Sequence, residues 1–480
     1  MSVPFSAIVQ DPVIRQLVQE NLLERAFHDA LFPRLLFRME AVANKFPGQL
    51  GDTIIFTGDG LIEPQTKPLR PRQEPTPASY ASEQWEATVQ QYANKIDTHM
   101  PSSMLAIASL FTRNANKLGI AAGQSINRVV RDRIYNSALA GTTFYEYAPG
   151  DLTTGSGSIA TGAAIRVRSL NGLTTARRPD LAAGSPVRFQ AVSSNNPLGV
   201  TIYHAGGHVH GTITAFTPDN AGDEIGPGVV TCNWSGGNIT INARQAIVSD
   251  DASSIVRMGG GTTIDAIPAA GGTGTFFALA TIRSAVARMR NMNVAEQADG
   301  YYHCHLDPVS ESQVYGDAEF QRLLTSMPDY YIYSQFALGR LLGTVFLRDN
   351  ECPQSTTVTK VNGLYTTDEP CAAEVVNKTG VVLHQPVFIG AGAINEYYCD
   401  LDDLVTEAGV TGKTSNISVS NGGIQVAAER IKYIIRAPLD RLQQEVSTSY
   451  SFIGDWAMRT DATTGDAARF KRCVVVQHGA

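Results

Sequence analysis

Apolar residues recur at helical spacing in two long stretches of the chain. Between Asp11 and Glu40, Ile14, Leu17, Val18, Leu22, Phe27, Leu31 and Leu35 fall near one stripe. Pro33 interrupts it, since its ring removes a backbone donor and clashes with the preceding turn. The pattern predicts an amphipathic N-terminal arm. From Ser102 to Ala138, just after Pro101, a second stripe is marked by Met104, Ile107, Phe111, Ala115, Leu118, Ala122, Ile126, Val129 and Ala138. It predicts one helix ~55 Å long. Gly119 and Gly123 weaken its middle, and predict either a bend or the close approach of another helix. A shorter helical pattern follows in FALATIRSAVARMRNMN, where Leu279, Ile282, Val286 and Met289 recur at three and four.

Elsewhere the period is two. GDTIIFTGDG predicts a strand over Thr53–Thr57, and Glu83–His99 predicts another with Trp85, Ala87, Val89 and Gln91 on one face. Between them Pro64, Pro68, Pro71, Pro75 and Pro77 exclude helix and central strand, so the whole reads as a long hairpin with a stiff tip. Such a hairpin has no core of its own and needs a neighbour to lie on. Between Asp151 and Thr273 there is no lysine and no helical period. Runs such as PVRFQAVSS, GVTIYHAGG, HVHGTITAF, NITINARQAIV and SIVRMG, separated by Gly, Asn, Asp and Pro, predict an all-β module, barrel or sandwich, inserted in a larger α/β unit. Val381–Ile389 is strand-like. Val446, Thr448, Tyr450 and Phe452 alternate with serines, and after DATTGDA the run RFKRCVVVQ predicts that the chain ends in a second long hairpin.

Composition narrows the function classes. A chain of 480 residues suggests two to four structural units, and 43% hydrophobic residues exclude a disordered chain. Charged residues, at 17%, fall short of the roughly 25% of ordinary soluble proteins, which implies that partners cover much of the surface. A net charge of -7 with no basic tail argues against a protein whose main task is gripping nucleic acid, because phosphate neutralisation needs concentrated Lys and Arg. The six cysteines lie far apart with no CxxC pair, so reduced thiols are expected. MSVPFSAIVQDPVIRQ lacks the basic start and apolar core of a signal peptide, and no stretch approaches the ~20 apolar residues of a membrane span. A soluble chain made in a cytoplasm is expected.

Candidate chemistry centres on histidine. YYHCHLDPVSES packs His303, Cys304 and His305 together, but a strand would put Tyr301, His303 and His305 on one face and Tyr302, Cys304 and Leu306 on the other. Two histidines are half of a metal site at most, and the following Asp307, Pro308 and GDAEFQRLL suit an N-cap, a first turn and a helix. In GGHVHG, His208 and His210 invite a cupin comparison, yet no acid follows until Asp219. A glycine-flanked hairpin with two solvent-facing histidines is the expectation. Ser310, His384 and the many aspartates form no triad at motif spacing, and the Gly259–Gly261 run lacks the Lys-Ser/Thr of a phosphate loop.

The order of elements resembles that of the major capsid proteins of tailed bacteriophages, whose fold recurs in encapsulins and herpesvirus shells. GDTIIFTGDG is similar to the strand that opens the family's extended loop. ADGYYHCHLDPVSESQVYGDAEFQRLL resembles its strand-and-helix segment in a podophage-type branch, with a Tyr, an Asp-Pro and an acidic DxEFQ helix. LGRLLGTVFLRDNECP resembles the stretch that follows, although Arg340 and Leu342 interrupt the usual glycine spacing. The resemblance implies an α+β fold with an N-terminal arm (1–45), an extended loop hairpin (46–100), the spine helix of a peripheral domain (101–150) and an inserted β-rich domain (151–273). More of the peripheral domain (274–323), an axial domain (324–428) and a C-terminal peripheral hairpin (429–480) complete it.

It further implies a non-enzymatic shell subunit, with no catalytic residue, cofactor or metal, that self-associates into hexamers and pentamers. The implied partners are a scaffolding protein during assembly, a portal protein, packaged double-stranded DNA held by weak non-specific contacts, and optionally a decoration protein; no membrane is involved. The scaffold is expected to be separate, because the extended-loop signal begins only ~50 residues in, short for a fused scaffold domain. The place would be the virion capsid, assembled in the host bacterial cytoplasm. At the loop tip Lys67, Arg70 and Arg72 are expected to contact acidic groups of an adjacent subunit. Two other readings compete. One is a surface-layer or adhesin-like β-rich protein, which the missing export signal disfavours; the other is a metal-dependent hydrolase centred on His303 and His305.

Overall fold

The computed structural model describes residues 27, 30–31, 35–45, 53–59, 68–69, 74–75, 77, 82–99, 110–138, 143–144, 158–167, 170, 172–177, 189–204, 207–221, 227–241, 246–249, 255–258, 264–267, 277–326, 339–354, 360–361, 364–365, 373, 381–399, 431–436, 444–458 and 472–479. The fold is mixed α+β. It divides into two compact units, one drawn from residues 1–54, 86–131 and 395–457, the other from 55–85, 132–394 and 458–480.

The first unit is organised by the strand Glu445–Met458. Its partner Gln90–His99 runs antiparallel to it without a break from His99, opposite Glu445, to Gln90, opposite Gly454. Lys432–Arg436 pairs with its other edge, and Ile394–Tyr398 continues the sheet to Ala41–Lys45. The two-residue period works as expected: Thr448, Tyr450 and Phe452 are buried while Ser447 and Ser449 stay half-exposed. The predicted long helix is present as Leu110–Ala138; residues 102–109 lie outside the described residues. Ala115, Leu118, Ala122 and Ile126 are buried along one stripe. The next buried apolar residue is Val130, with Val129 half-exposed, since steps of three and four from Ile126 reach both. Gly119 serves close approach: a Cβ there would run into the Phe27 carbonyl oxygen and lie 3.1 Å from the Ala30 Cβ. The end of the N-terminal arm therefore rests on the helix, with Phe27, Leu31, Leu35 and Phe37 buried and Phe27 stacked on Tyr433 at 4.9 Å. The part of the arm before Phe27 lies outside the described residues.

One polar device sits inside this apolar layer. Arg38 donates from Nε to Glu396 Oε2 at 2.9 Å and from Nη2 to Oε1 at 2.6 Å, and Trp456 Nε1 donates to Oε2 at 3.2 Å. The guanidinium carbon lies 4.9 Å from the centre of the Phe452 ring, which itself stacks on Trp456 at 5.0 Å. Arg38 and Glu396 are both buried, so the fork joins segments 358 positions apart out of water.

The second unit holds a seven-stranded mixed sheet in the order Ile255–Arg257, Cys473–Gly479, Val387–Ile389, Tyr302–Leu306, Thr344–Arg348, Arg340–Leu341, with Leu383–His384 also paired to Cys473–Gly479. Leu279, Ile282, Val286 and Met289 of the helix Leu279–Asn291 pack with Tyr302, Cys304, Leu306, Phe388, Val474 and Val476. Cys473–Gly479 is buried along its whole length, as a central strand with a near-continuous apolar run must be.

Four expectations change here. Glu445–Met458 and Cys473–Gly479 belong to different sheets, so the 429–480 segment is not a hairpin; the apolar run of the last strand is suited to a two-sided central position that a hairpin on the first sheet would not offer. Residues 277–326 share a unit with 340–348, 383–389 and 473–479, and not with the long strand Glu445–Met458, which regroups the 274–323 and 324–428 segments. SIVRMG leaves the β module, because Ile255–Arg257 pairs in parallel with Val475–Gln477. Leu342, noted as a break in glycine spacing, forms with Gly343 the two-residue turn between Arg340–Leu341 and Thr344–Arg348, with φ of 53° and 78°. That is the left-handed turn that favours Asn-Gly.

The described strands of the inserted sheet run from Thr143 to Ser249. Its six antiparallel strands run in the order Thr143–Phe144, Ala246–Ser249, Leu198–His204, Gly207–Pro218, Gly228–Trp234, Ala164–Val167. One face carries Val200, Ile202, Ile213, Val230 and Ile247 into a core shared with Leu170, Leu173 and Trp234. Each such side chain contributes about 1.5–3 kcal/mol on burial, enough to hold a module of its own.

The extended hairpin is present as Thr53–Asp59 paired with Ser82–Thr88, joined to no other sheet among the described residues, with Phe56 stacked on Trp85 at 5.6 Å. The continuous strand expected from Glu83 to His99 breaks at Val89, where the chain passes from the hairpin to the five-stranded sheet. No helix among the described residues is long and apolar enough to cross a membrane.

Replacing Leu342, a half-exposed side chain held at positive φ, by Asn should raise the stability of the second unit by about 1 kcal/mol, measured by denaturant unfolding. Glu396→Ala should lower that of the first unit by about 3–5 kcal/mol, since it strands a buried guanidinium; an unchanged thermal midpoint would contradict the clamp.

Candidate functional sites

Sequence spacing showed no triad, yet the fold gathers Asp307, Ser310, His384 and His478 into one buried knot. Asp307 is the N-cap expected of it, accepting the backbone N–H of Val309 at 3.2 Å and Ser310 at 3.3 Å, with Pro308 in the first turn of the helix Pro308–Gly316. Sheet register sets His384 directly opposite His478, and their rings stack at 5.6 Å. His384 Nδ1 lies 2.7 Å from Asp307 Oδ2, Ser310 Oγ donates to Asp307 Oδ1, and Ser310 Oγ lies 2.7 Å from His478 Nε2. Phe277 covers the outer side of the His478 ring.

The composition is that of a hydrolase triad, but the wiring is not. The histidine beside Ser310 is His478, whereas the aspartate holds His384 and also accepts the serine's hydrogen bond, so no base is aligned by an acid to activate the hydroxyl. All four residues are sealed from solvent. Burial drives the His478 pKa down to about 4, which keeps the ring neutral. Burial would raise the Asp307 carboxyl, but hydrogen bonds from His384 and Ser310 outweigh it and hold the group below its ordinary range. The knot ties helix, edge strand and central strand together. His478 lay unremarked in the sequence, because nothing short of strand register links it to His384.

His303 and His305 do not converge. His303 Nε2 lies 3.2 Å from Asp299 Oδ2 at the half-exposed start of its strand, while His305 is buried with Nδ1 3.5 Å from Asp349 Oδ2. Cys304 points into the apolar cluster, where burial and the Asp307 charge raise its thiol well above the usual range. Burial likewise pushes Cys232 up to about 12, and the five described cysteines are free thiols.

The third group differs. His208 and His210 are only partly solvent-facing and meet an acid: His208 Nε2 lies 2.9 Å from Asp265 Oδ1 and His210 Nε2 lies 2.5 Å from Oδ2. Thr201 Oγ1 lies 3.1 Å from His210 Nδ1, and Tyr203 packs against His208. Partial burial would raise the Asp265 carboxyl, but the hydrogen bonds from His210 and His208 hold it below its ordinary range. His204 is driven down by burial and by the neighbouring His208. Among the described residues this is the one group of three His, Cys, Asp or Glu with ligand atoms mutually within 4.8 Å. Asp265 lies 55 residues beyond His210, too far along the chain for motif spacing to connect them. The expected contact residues Lys67, Arg70 and Arg72 lie outside the described residues.

No family model and no curated protein matches the chain. Solved structures with a similar chain path include the capsid of Ralstonia phage GP4, at 12% identity over 92% of this chain and 88% of that one, with a TM-score of 0.43. The capsid of cyanophage Pam1 is similar at 10% identity over 94% and 92%, TM-score 0.44, and that of Helicobacter pylori bacteriophage KHP30 at 9% over 91% and 88%, TM-score 0.38. At these identities and scores the likeness transfers no residue role to this chain.

The buried knot makes stability fall with acid. Between the ordinary histidine pKa near 6.5 and the folded value of about 4, the unfolded chain binds a proton that folded His478 refuses, so stability is lost as pH falls through that window. The loss should amount to about 3 kcal/mol in the second unit. Denaturant unfolding at several pH values should show it, and His478→Gln should flatten that part of the curve; an identical slope in the variant would refute the assignment.

Proposed function

We propose that this chain is a structural subunit of a tailed-bacteriophage capsid, self-assembling as hexamers and pentamers into an icosahedral shell around double-stranded DNA. The observation that carries the reading is the Thr53–Thr88 hairpin. Among the described residues it is a two-stranded ladder joined to no other sheet, with Ile55 exposed at 62% and Leu69, in the proline-rich stretch, at 56%. Two strands are marginal on their own, so this element is built to lie on another surface. Its place supports the same reading: it precedes a long helix and a sheet of long strands, with a separate β module inserted afterwards, the order whose motifs resemble the capsid family.

In this reading the unit with the long helix and five-stranded sheet is the peripheral domain, the seven-stranded unit takes the axial part, and the insertion stands on the outer or inter-subunit surface. Hairpins and arms crossing subunit boundaries multiply weak contacts into a stable shell. No step of catalysis is assigned: the one Ser, His and Asp constellation is sealed and wired as a brace. A scaffolding protein and a portal are the partners during assembly in the bacterial cytoplasm, and a decoration protein is compatible with the insertion. The net charge of -7 suits an inner wall that holds packaged DNA only through weak, non-specific contacts.

Expressed with its scaffold, the chain should form closed particles by negative-stain microscopy; soluble monomers alone would sink the shell reading. Charge reversal at Lys67, Arg70 and Arg72 together should leave a folded subunit that no longer closes shells. Normal particles from that variant would show that the loop tip is a solvated surface and not a contact.

A further inference from the structure

We infer that His208, His210 and Asp265 form a binding site for one borderline divalent transition-metal ion, of the Zn2+ or Co2+ class, on the face of the insertion sheet opposite its apolar core. The sequence led to the expectation of no metal; the structure supplies the third ligand. His208 and His210 stand two apart on Gly207–Pro218, so both rings share one face, while Val209 between them packs against the core. Strand register sets Tyr203 opposite His208 and Thr201 opposite His210. Asp265 comes from the short helical turn Ile264–Ala266, whose apolar neighbours Ile264 and Ile267 are buried while the carboxylate stays half-exposed. The acid is therefore held in front of the imidazoles by the packing of its neighbours.

The dimensions suit coordination. Zn–N and Zn–O distances of about 2.0–2.2 Å place tetrahedral ligand atoms about 3.3 Å apart. Here the carboxylate oxygens lie 2.9 and 2.5 Å from the two Nε2 atoms, and all three ligand atoms are within 4.8 Å of one another. Small side-chain rotations at half-exposed positions close the remainder. Thr201 provides the orienting contact: its buried hydroxyl, 3.1 Å from His210 Nδ1, can accept Nδ1–H and so leave the Nε2 lone pair for the metal. Two imidazoles and one carboxylate select a borderline ion over Ca2+ or Mg2+, which prefer all-oxygen shells. Three protein ligands leave a further position for water. A bound ion would pin the Ile264–Ala266 turn to the insertion sheet, fixing the place where the chain returns from the module.

The test uses the full chain as unassembled subunits, which keeps its outcome separate from that of the shell proposal. After EDTA treatment and its removal, Co2+ and Zn2+ are titrated, following bound metal by equilibrium dialysis and the visible absorption of Co2+. One saturable site per chain is expected, with Zn2+ raising the thermal midpoint. The double change His208→Gln with His210→Gln should abolish it, Asp265→Asn should weaken it at least tenfold, and Thr201→Val should weaken it about tenfold. His303→Gln with His305→Gln should leave it unaltered. Circular dichroism checks that each variant folds, and the half-exposed Asp265 decides the matter if the double variant does not. Absence of saturable binding, or binding that survives Asp265→Asn undiminished, overturns the site.

Discussion

The five-stranded and the seven-stranded sheet are both closed by strands from the last tenth of the sequence. Glu445–Met458 organises one and Cys473–Gly479 lies inside the other, paired with strands that begin near residues 255, 383 and 387. Neither sheet can bury its apolar face until these strands arrive. Closing such long loops carries an entropic cost that grows only slowly with length, but contacts of this separation make folding slow and leave apolar surface open meanwhile. The same constraint explains the composition of the last strand. Cys473, Val474, Val475 and Val476 fill both sides of a central position, and the two polar residues that follow are both satisfied. Gln477 bonds Gln385 and Arg257, while His478 meets Ser310.

Burial decides what each histidine group can do. Sealed beneath Phe277, His478 is neutral and braces a helix N-terminus, although its neighbours have the chemical types of a hydrolase. His305 is equally sealed, and its strand neighbour His303 turns to a separate aspartate, so the pair that looks most like a metal motif is split between two environments. His208 and His210 are only partly covered and share one carboxylate, so they alone combine convergence with access. In the first unit the same logic applies to Arg38 and Glu396: out of water, a charge survives only with a partner placed to receive it, and the fork-on-carboxylate geometry meets that demand.

Under the proposed shell function, the elements divide by how much internal support they have. Rigid sheets hold the polar braces inside, while the element with least internal support among the described residues is the two-stranded ladder of Thr53–Asp59 and Ser82–Thr88. The hairpin carries Phe56 stacked on Trp85, with Trp85 and Ala87 buried and Ile55 exposed, and since two strands alone are marginal its shape depends on what it lies against.

Local pattern was enough for the elements whose causes are local. The helical stripe through Ala115, Leu118, Ala122 and Ile126, the Asp307 cap with Pro308, the alternation at Thr448, Tyr450 and Phe452, and the β character of the insertion all follow from periods of 3.6 and 2 and from capping chemistry acting within a few residues. Sheet membership did not follow, because a strand's period says which face is buried and nothing about which strand lies beside it. Hence the last two strands read as a hairpin, SIVRMG read as part of the module, and Gly119 left bend and close approach undecided until Phe27 lay against it. The sites fall on the same side of that line. His384 meets His478, and Asp265 meets His208 and His210, only through strand register and the packing of a turn between residues far apart in the chain, and it was the tertiary fold, by setting those distances and excluding water from one group but not the other, that decided which histidines brace and which can bind.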